Sequence, residues 1–378
     1  MVIRQSTMEN LALTSAGLAS FWRGKRVVVT GHTGFKGAWL TLWLHSLGAK
    51  VLGISLPPLT SPSLFIEADI GGLCDTRFSD IRDVSALADL IRSAEPDIVF
   101  HLAAQALVRK GYRSPLATFE TNLMGTVHVL EALRESRSVR AAVIVTTDKI
   151  YRDTKSVVAH REDDPLGGLD PYSASKAASE LAIECYRESY LSGQGIAVAS
   201  ARAGNVIGGG DWSEDRLIPD AVRAWQDGRA LVVRRPDAVR PWQHVLEPLF
   251  GYLILARHLW HRPTLAGAYN FGPDGGEAVT VRDLIDLART VYGEGEVDYR
   301  DGSEGPHESA WLALNATKAA EMLGVMPKLT LVETVKRTMA WYRAHGSGTH
   351  ARALCEVEIS EFEAKAIVPT SNSAKLAG

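Results

Sequence analysis

The chain contains little of what marks several specialised classes of protein. Only 3 of its 378 residues are cysteine, and their wide spacing excludes a disulfide framework and suits a reducing compartment. No apolar run is long enough to span a bilayer, and residues 1–20 lack the continuous apolar stretch of a signal peptide. The net charge of −3 argues against a surface for nucleic acid. We therefore expect a cytoplasmic enzyme with no nucleic acid and no membrane among its partners.

Metal-binding patterns are also missing. The 11 histidines are scattered, and none stands with cysteines at the spacing of a metal site, so we expect no metal. The rest of the composition is ordinary for a globular protein, with 46% hydrophobic and 22% charged residues. A chain of this length exceeds one ordinary domain, which favours two lobes.

A glycine-rich turn near the start is the first informative motif. The apolar run 27–30 is followed by Gly31-His32-Thr33-Gly34-Phe35-Lys36-Gly37 and then by an apolar helical pattern. A strand, a glycine turn and a helix open a dinucleotide-binding unit, in which glycine lets the backbone approach a pyrophosphate and the helix N-terminus supplies N–H groups. The spacing G-x-x-G-x-x-G is a weak signal when it stands alone.

Short apolar runs alternate with helical patterns over the first two hundred residues. Runs rich in β-branched residues without polar alternation are typical of strands that are buried on both faces. We expect such strands at 27–30, 51–54, 97–100, 141–145 and 196–199. The alternation predicts an α/β fold, namely a Rossmann-type doubly wound parallel sheet with a smaller, mixed α/β substrate-binding lobe.

The character of the sequence changes near residue 205. We expect a Rossmann domain over 21–204, to which a segment at about 240–270 returns, and a lobe that is mainly 205–345 and binds the substrate. Residues 1–20 and 346–378 are expected to be flexible extensions, because the tail is polar and ends in small residues.

Tyr172 and Lys176 stand four residues apart at the start of a helical pattern, which puts them on one face of a helix. A phenol with a pKa of about 10 is a poor base at neutral pH. We expect the neighbouring ammonium to lower the pKa of Tyr172, so that it accepts a proton from a sugar hydroxyl while a hydride leaves the same carbon. The same spacing also occurs by chance on surface helices, but the upstream glycine turn favours the functional interpretation.

Thr147, Asp148 and Lys149 directly follow the predicted strand 141–145. Ligands of doubly wound sheets bind beyond the carboxyl ends of the strands. Thr147 could hydrogen-bond the reacting hydroxyl, while Asp148 and Lys149 add an acid and an amine beside it. The alternative interpretation is a solvated loop at the end of a strand.

Together these motifs resemble the extended short-chain dehydrogenases/reductases and, within that class, the CDP-glucose 4,6-dehydratases. The resemblance extends from about residue 22 to about residue 344. It also includes His101–Gln105, Asn122, Arg202–Trp212 and Arg240–Val245. Its specific marks are the Asp-Lys pair at 148–149 and the Gly-Gly-Gly-Asp-Trp stretch at 208–212. The dTDP-glucose dehydratases have Asp-Glu in place of the pair, and the epimerases lack it.

The resemblance implies a reaction. Tyr172 takes the 4-hydroxyl proton while the C4 hydride passes to NAD, Lys149 removes the C5 proton, and Asp148 protonates the departing 6-hydroxyl. CDP-glucose then becomes CDP-4-keto-6-deoxyglucose, with NAD retained and a deoxysugar of a surface polysaccharide such as an O-antigen as the end use. These roles need a neutral amine beside a neutral acid, and burial favours neutral forms. We therefore expect both side chains in a dry pocket.

The same resemblance assigns the contacts of the cofactor NAD. They are Gly31, Thr33, Gly34, Phe35, Lys36 and Gly37 for the pyrophosphate, Asp80 and Ile81 for the adenine, and Leu102, Ala103, Ala104 and Asn122 with Tyr172 and Lys176 toward the nicotinamide. A structural role is an equal alternative for Asn122. The second strand ends without an acid for the ribose 2′-hydroxyl and without an arginine for a 2′-phosphate.

The expected contacts of the nucleotide sugar are Gln105, Arg202, Asn205, Leu217, Ile218, Arg240 and His307. Guanidinium forks match phosphate oxygens, although each arginine could instead form a structural ion pair. Small residues in the helix from Tyr172 permit close packing against the helical segment 115–134, and members of the class dimerise there, so we expect a homodimer. Another nucleotide-sugar 4,6-dehydratase, a nucleotide-sugar epimerase or reductase, and a silent NAD-binding sensor remain the alternatives.

Overall fold

A computed structural model of the chain describes residues 15–153, 158–273, 279–302 and 311–367. The strands, in chain order, are β1 Arg26–Thr30, β2 Lys50–Ser55, β3 Asp75–Phe78, β4 Ile98–His101, β5 Ala141–Val145, β6 Ala197–Ala203, β7 Val206–Ile207, β8 Leu231–Val233, β9 Val239–Arg240, β10 Gln243–His244, β11 Gly267–Phe271, β12 Val279–Thr280 and β13 Val297–Tyr299.

The α-helices are α1 Ser15–Trp22, α2 Phe35–Ser46, α3 Leu64–Glu67, α4 Val84–Ala94, α5 Val108–Arg113, α6 Pro115–Phe119, α7 Gly125–Glu135, α8 Pro171–Tyr186, α9 Leu217–Gln226, α10 Leu246–His261, α11 Val281–Tyr292, α12 Thr317–Leu323, α13 Leu331–Gly346 and α14 Ala351–Ala366. A π-helical turn, Glu120–Met124, joins α6 to α7, and a 3-10 turn, Asp148–Ile150, follows β5. Among these described segments, no helix combines the length and the hydropathy that crossing a bilayer requires.

Seven parallel strands form the central sheet in the order β11-β6-β5-β4-β1-β2-β3. Val27 pairs with Val51 on one side and with Ile98 on the other. The strand order therefore reverses between β1 and β4: β2 and β3 are added on one side of β1, and β4, β5 and β6 on the other. Every residue of β5 and β6 is buried, as expected for parallel strands that helices cover on both faces. The predicted doubly wound fold is confirmed, and its binding crevice lies at the carboxyl ends of these strands.

The second half of the chain contributes to both the sheet and a smaller lobe. Helix α10 packs against β5 and β6, and β11 extends the sheet beyond β6. The smaller lobe contains α9, α11 and three two-stranded ladders, in which β8 pairs with β13, β9 with β12 and β7 with β10. The ladder of β7 and β10 begins directly after β6, so it lies beside the crevice.

The terminal segments differ from the expectation of flexible extensions wherever the structure describes them. Helix α1 buries Leu18 and Trp22, and α14 buries Cys355 and Phe362. The Phe362 ring packs edge-on against Trp43 of α2 at 5.8 Å between ring centroids. Helix α2 is apolar on all sides and therefore needs a second cover besides the sheet, which α14 provides.

Candidate active site

Tyr172 and Lys176 lie one turn apart on α8, as their spacing predicted. The helix starts there because Pro171 occupies its first position and the Asp170 carboxylate accepts hydrogen bonds from the N–H groups of Tyr172 and Ser173, at 2.9 and 3.0 Å. Both side chains are buried. The Lys176 Nζ donates to the carbonyl of Val145 at 3.0 Å, which ties α8 to the end of β5.

The electrostatics of this pair differ from the expectation. Burial raises the pKa of Tyr172 rather than lowering it, while a hydrogen bond with Thr147 and the charge of Arg216 act in the opposite direction. Burial also lowers the pKa of Lys176 to about 8, against the attraction of Glu180. The desolvation of the phenol therefore outweighs the cationic neighbours that favour its phenolate.

Asp148 and Lys149 stand on the 3-10 turn that follows β5. The Asp148 side chain is 1% exposed and its Oδ2 atom has no hydrogen-bond partner, although its Oδ1 lies 4.0 Å from the Lys149 Nζ. The Lys149 side chain is 26% exposed, so only the acid of the pair is as dry as expected. Adjacent residues on a tight turn point in different directions, which explains the unequal burial.

Thr147 links Tyr172 of the first pair with Asp148 of the second. Its hydroxyl is hydrogen-bonded with the Tyr172 phenol and donates to Asp148 Oδ1 at 3.0 Å. The Thr147 Oγ1 atom also accepts from the Lys149 backbone N–H at 3.4 Å and so caps the turn. One buried hydroxyl thus contacts both the tyrosine and the acid.

Two further cations face this cluster. Lys36 extends from the first turn of α2, where burial lowers its pKa to about 8 and the charges of Arg216, Asp148 and Lys176 act on it. Arg216, at the N-terminal boundary of α9, donates to the carbonyl of Ala106 at 3.0 Å. Sequence reasoning missed Arg216, because a single arginine in a loop has no pattern that distinguishes it from a surface residue.

The glycine turn packs as a dinucleotide-binding turn requires. Gly31 has a φ of +77°, and a Cβ atom there would lie 2.7 Å from the backbone nitrogen of Ala103. A Cβ on Gly37 would lie 2.1 Å from the carbonyl oxygen of Gly31. No side chain caps α2 at Gly34, so the helix offers its first N–H groups to a ligand. The segment from Leu102 to Ala104 lies against this turn, since the Leu102 and Ala103 N–H groups both approach the Thr30 hydroxyl.

Other expected cofactor contacts divide into two groups. Asp80 lines an open cavity of about 540 Å³ with Asp83, Glu120 and His128, and the Arg82 guanidinium holds the pKa of the Asp80 carboxyl below its usual range. Ile81, in contrast, is buried in the core, where it fills the space above a glycine of α7. The structure therefore contradicts a side-chain contact from Ile81 but leaves Asp80 accessible.

Three polar side chains of the predicted site are engaged within the protein. The Thr33 hydroxyl donates to the Leu56 carbonyl and contacts the Ser55 hydroxyl, so it holds the glycine turn against β2.

The other two are Asn122 and Gln105. The Asn122 carboxamide accepts from the Gln105 N–H and donates to the Gln105 carbonyl and the Ser175 hydroxyl. The side chain of Gln105 bonds Leu107 and Thr118. Asn122 therefore anchors α8, which is the structural alternative, and Gln105 stabilises its own loop.

Two of the expected substrate contacts, Arg202 and Ile218, have side chains that are buried within the protein. Arg202 is buried in an ion pair with Glu180 at 2.8 Å, so its guanidinium belongs to the interior rather than to a diphosphate site. Helix α9 begins at Leu217, and Ile218 is 1% exposed in the hydrophobic core. Of this dipeptide only the partly buried Leu217 is near enough to the surface to contact a base.

The remaining substrate candidates lie beside the crevice. Asn205, between β6 and β7, has a buried Oδ1 atom without a hydrogen-bond partner. Arg240 is buried on β9, where it donates to the carbonyl of Val239 at 2.8 Å. Pro241, the residue after it, packs against Gly204 next to Asp148. His307 lies outside the described residues.

Comparison with known proteins gives the family. Residues 27–272 match the model of the NAD dependent epimerase/dehydratase family. The chain is 43% identical to a CDP-glucose 4,6-dehydratase of Salmonella typhimurium over 349 residues, or 91% of this chain and 97% of that protein. It is 32% identical to a dTDP-glucose 4,6-dehydratase of Streptomyces antibioticus, over 70% of this chain and 75% of that one.

A solved structure is also similar. It is the crystal structure of a dTDP-glucose 4,6-dehydratase from Streptomyces venezuelae with NAD bound, which is 25% identical in sequence and superposes with a TM-score of 0.72. The match covers 85% of this chain and 98% of that one. The chain therefore belongs to the NAD-dependent epimerase/dehydratase family, as its motifs predicted.

Proposed function

We propose that the chain is a CDP-glucose 4,6-dehydratase, a hydro-lyase that converts CDP-glucose to CDP-4-keto-6-deoxyglucose and water. The central observation is the buried Asp148, with Lys149 beside it, in hydrogen-bonded connection with Tyr172 through Thr147. An epimerase needs the tyrosine but has no step that needs such an acid–amine pair. The 43% identity to a protein of this name supports the substrate.

NAD is the cofactor that this proposal requires, and the residues present fit it. Gly31 and Gly37 give the close backbone packing of a pyrophosphate turn, and the uncapped N-terminus of α2 offers N–H groups and the positive end of the helix dipole to phosphate. Asp80 would accept from the adenine amino group. Bound there, NAD would supply the hydride acceptor for the oxidation at C4 and the hydride for the later reduction at C6.

In the oxidation step Tyr172 accepts the proton of the 4-hydroxyl. Its burial raises the cost of the phenolate, which the Thr147 hydrogen bond and Arg216 reduce. Lys176 adds a cation one turn below. A base that sits within hydrogen-bond reach of the reacting hydroxyl contributes on the order of 10²–10⁴ to the rate.

In the elimination step Lys149 removes the C5 proton, which the new 4-ketone makes acidic, and Asp148 gives its proton to the departing 6-hydroxyl. The unpartnered Oδ2 of Asp148 is the atom available for that donation. Because that oxygen makes no hydrogen bond within the protein, it is free to face the departing hydroxyl.

A proton must then return from one residue to the other. Once the hydride has returned to C6, Lys149 gives its proton back to C5, so each turnover leaves Tyr172 with a proton from the 4-hydroxyl and Asp148 without the proton that left in water. The Thr147 hydroxyl lies between them and has a single hydrogen, which can point to the phenol or to the carboxylate. Thr147 therefore provides a path that restores both residues.

We assign the nucleotide diphosphate to the side of the crevice that contains Asn205, Arg240 and Arg216. The two guanidinium groups supply positive charge for the phosphates from β9 and from the start of α9, while the unpartnered Oδ1 of Asn205 can accept from a hydroxyl of the substrate. His307 remains a candidate for the same site by resemblance alone.

Parallel incubation with CDP-, UDP-, dTDP- and GDP-glucose tests this function. We expect water loss from CDP-glucose only, detected by NMR as a new C6 methyl group and by the ultraviolet absorbance of the 4-keto-6-deoxy product in alkali. A C4 epimer without a methyl group would instead identify an epimerase. Absence of turnover with all four sugars would contradict the proposal.

We also infer a homodimer that forms through α6, α7 and α8, which pack side by side. Leu116 on α6 and Leu181 on α8 are 71% and 59% exposed, and exposed leucines on neighbouring helices are typical of a surface that a partner covers. Light scattering is expected to give twice the chain mass, and Leu181→Glu is expected to reduce it. A monomeric wild-type protein would contradict the inference.

A further inference from the structure

A buried polar network lies directly behind the 3-10 turn of the active site. Its centre is the ion pair of Glu180 on α8 with Arg202 on β6, whose side chains are 4% and 5% exposed and whose charged atoms lie 2.8 Å apart. Ser200, on the same strand as Arg202, donates to Glu180 Oε2 at 2.7 Å. Every oxygen of the carboxylate is therefore used within the protein interior.

The pair holds the turn at both ends. Thr146, immediately before Thr147, donates to Glu180 Oε1 at 2.5 Å. Tyr151, immediately after the turn Asp148–Ile150, accepts from Arg202 Nη1 at 2.9 Å and donates to Asn270 Oδ1 at 2.7 Å. The segment with the acid and the amine thus begins on one member of the ion pair and ends on the other.

Stability alone does not account for this arrangement. Burying two charges costs desolvation energy, and a well-packed apolar pair commonly stabilises a core as well. Tyr172 is fixed separately, by the Asp170 cap and the regular geometry of α8. The distinctive contribution of the pair is the orientation of a three-residue turn that has little regular structure of its own.

We propose that Glu180 and Arg202 are positioning residues for the elimination step, which hold Asp148 and Lys149 against C5 and C6 through Thr146 and Tyr151. This inference rests on the proposed function. It implies that loosening the turn slows the loss of water more than the oxidation at C4, because the acid and the amine stand on the turn, whereas the tyrosine stands on α8 and shares with the turn only its hydrogen bond with Thr147.

Tyr151→Phe tests the far end of the turn. The variant loses the hydroxyl but keeps the ring, which stacks on His160 at 4.7 Å. In single turnovers with CDP-glucose we expect bound NADH to form within about twofold of the wild-type rate and to decay about tenfold more slowly, since small displacements of catalytic groups have large effects. The matched control is Tyr269→Phe, which removes a buried hydroxyl that donates to Leu265 at 2.8 Å and has no contact with the turn.

Thr146→Val and Ser200→Ala form a second matched pair, since each removes one hydrogen bond to Glu180 but only Thr146 belongs to the turn segment. We expect slower NADH decay in the first variant only, with similar losses of melting temperature in both. Equal NADH traces in Tyr151→Phe and Tyr269→Phe, with the wild-type protein active, would overturn the positioning role. An inactive wild-type protein would instead overturn the proposed function.

Discussion

The two sides of the proposed catalytic crevice, one for oxidation and one for elimination, are built in different ways. The oxidation side consists of Tyr172 and Lys176 on α8, a helix of 16 residues with a proline at its first position and an aspartate cap. The elimination side consists of Asp148 and Lys149 on a turn of 3 residues. A long helix places its side chains by its own periodicity, whereas a short turn needs contacts from elsewhere in the chain.

The difference matters for how the chemistry can diverge within one family. Reactions that share the oxidation at C4 can share the helix and the glycine turn. The step that distinguishes a dehydratase depends on two adjacent residues at a strand end, where loops and turns tolerate change. The support of those two residues then comes from distant residues such as Glu180 and Arg202 rather than from their own element.

Removing the phenol tests the oxidation side most severely. We expect Tyr172→Phe to lower kcat by about 10³-fold and to abolish the formation of bound NADH, because Tyr172 is the proposed acceptor of the 4-hydroxyl proton. Stopped-flow absorbance of NADH and NMR of the product measure the two effects. Tyr186→Phe, on the same helix with its hydroxyl near Glu131, is the control and should behave as wild type. A Tyr172→Phe variant that retains a tenth of the activity would break the comparison.

Removing the amine tests the elimination side. Lys149→Ala is expected to form bound NADH at close to the wild-type rate but to release about 10²-fold less product per unit time, since the base for the C5 proton is missing. Exchange of the C5 proton with deuterated solvent should disappear together with product. Loss of NADH formation in this variant would show that the two sides do not act separately.

Displacing the Asp148 carboxyl by a neighbouring methyl group also tests the elimination side, and it changes no catalytic residue. A Cβ on Gly204 would lie 2.9 Å from Asp148 Oδ2 and 2.8 Å from the Pro241 ring, so Gly204→Ala is expected to displace the carboxyl. We predict a kcat about tenfold lower, with NADH accumulation in the steady state. Gly193→Ala is the control, because a Cβ there meets nothing within 4 Å. Normal turnover by Gly204→Ala would contradict the role of this oxygen.

The sequence predicted the elements that local patterns determine. Strand β5 and the start of α8 follow from a β-branched run and from the Asp-Pro pair before Tyr172, and both are where the sequence indicated. Asp83 also caps α4, since it accepts from the Ala86 N–H at 3.0 Å. These features depend on residues within a few positions of one another.

What the sequence did not predict depends on contacts between distant residues. Arg202 resembles a phosphate ligand by type and position, but Glu180, 22 residues away, pairs with it in the core. Neither the charge nor the spacing indicates which arginine faces solvent, because burial is a property of the assembled sheet.

Helix α14 differs from Arg202, because the sequence did contain a pattern that indicates its buried position. Cys355, Ile359 and Phe362 recur at the spacing of a helical face, and all three are buried. The complementary observation is the uniformly apolar α2 with Trp39 and Trp43. Taken together, the two patterns predict a helix that covers α2, which the polar end of the chain obscured.

The smallest expected effect is a loss of folding stability at acid pH, which arises from a buried histidine behind the oxidation side. His101, at the end of β4, bonds the hydroxyls of Thr30 and Thr126, and burial lowers its pKa from 6.5 to about 3. Because the unfolded chain binds this proton first, stability is lost as the pH falls below 6.5, by about 1.4 kcal/mol per pH unit for one histidine.

Urea unfolding at pH 7.5, 6.5 and 5.5 measures this slope. Burial also lowers the pKa of His32 and of His258 to about 4 and the pKa of His261 below its usual value, so among the described histidines the wild-type protein should lose stability through four and the His101→Gln variant through three. An identical slope in His101→Gln and wild type would mean that His101 takes up its proton in the folded protein, and β4 would then tolerate a charge directly behind the oxidation side.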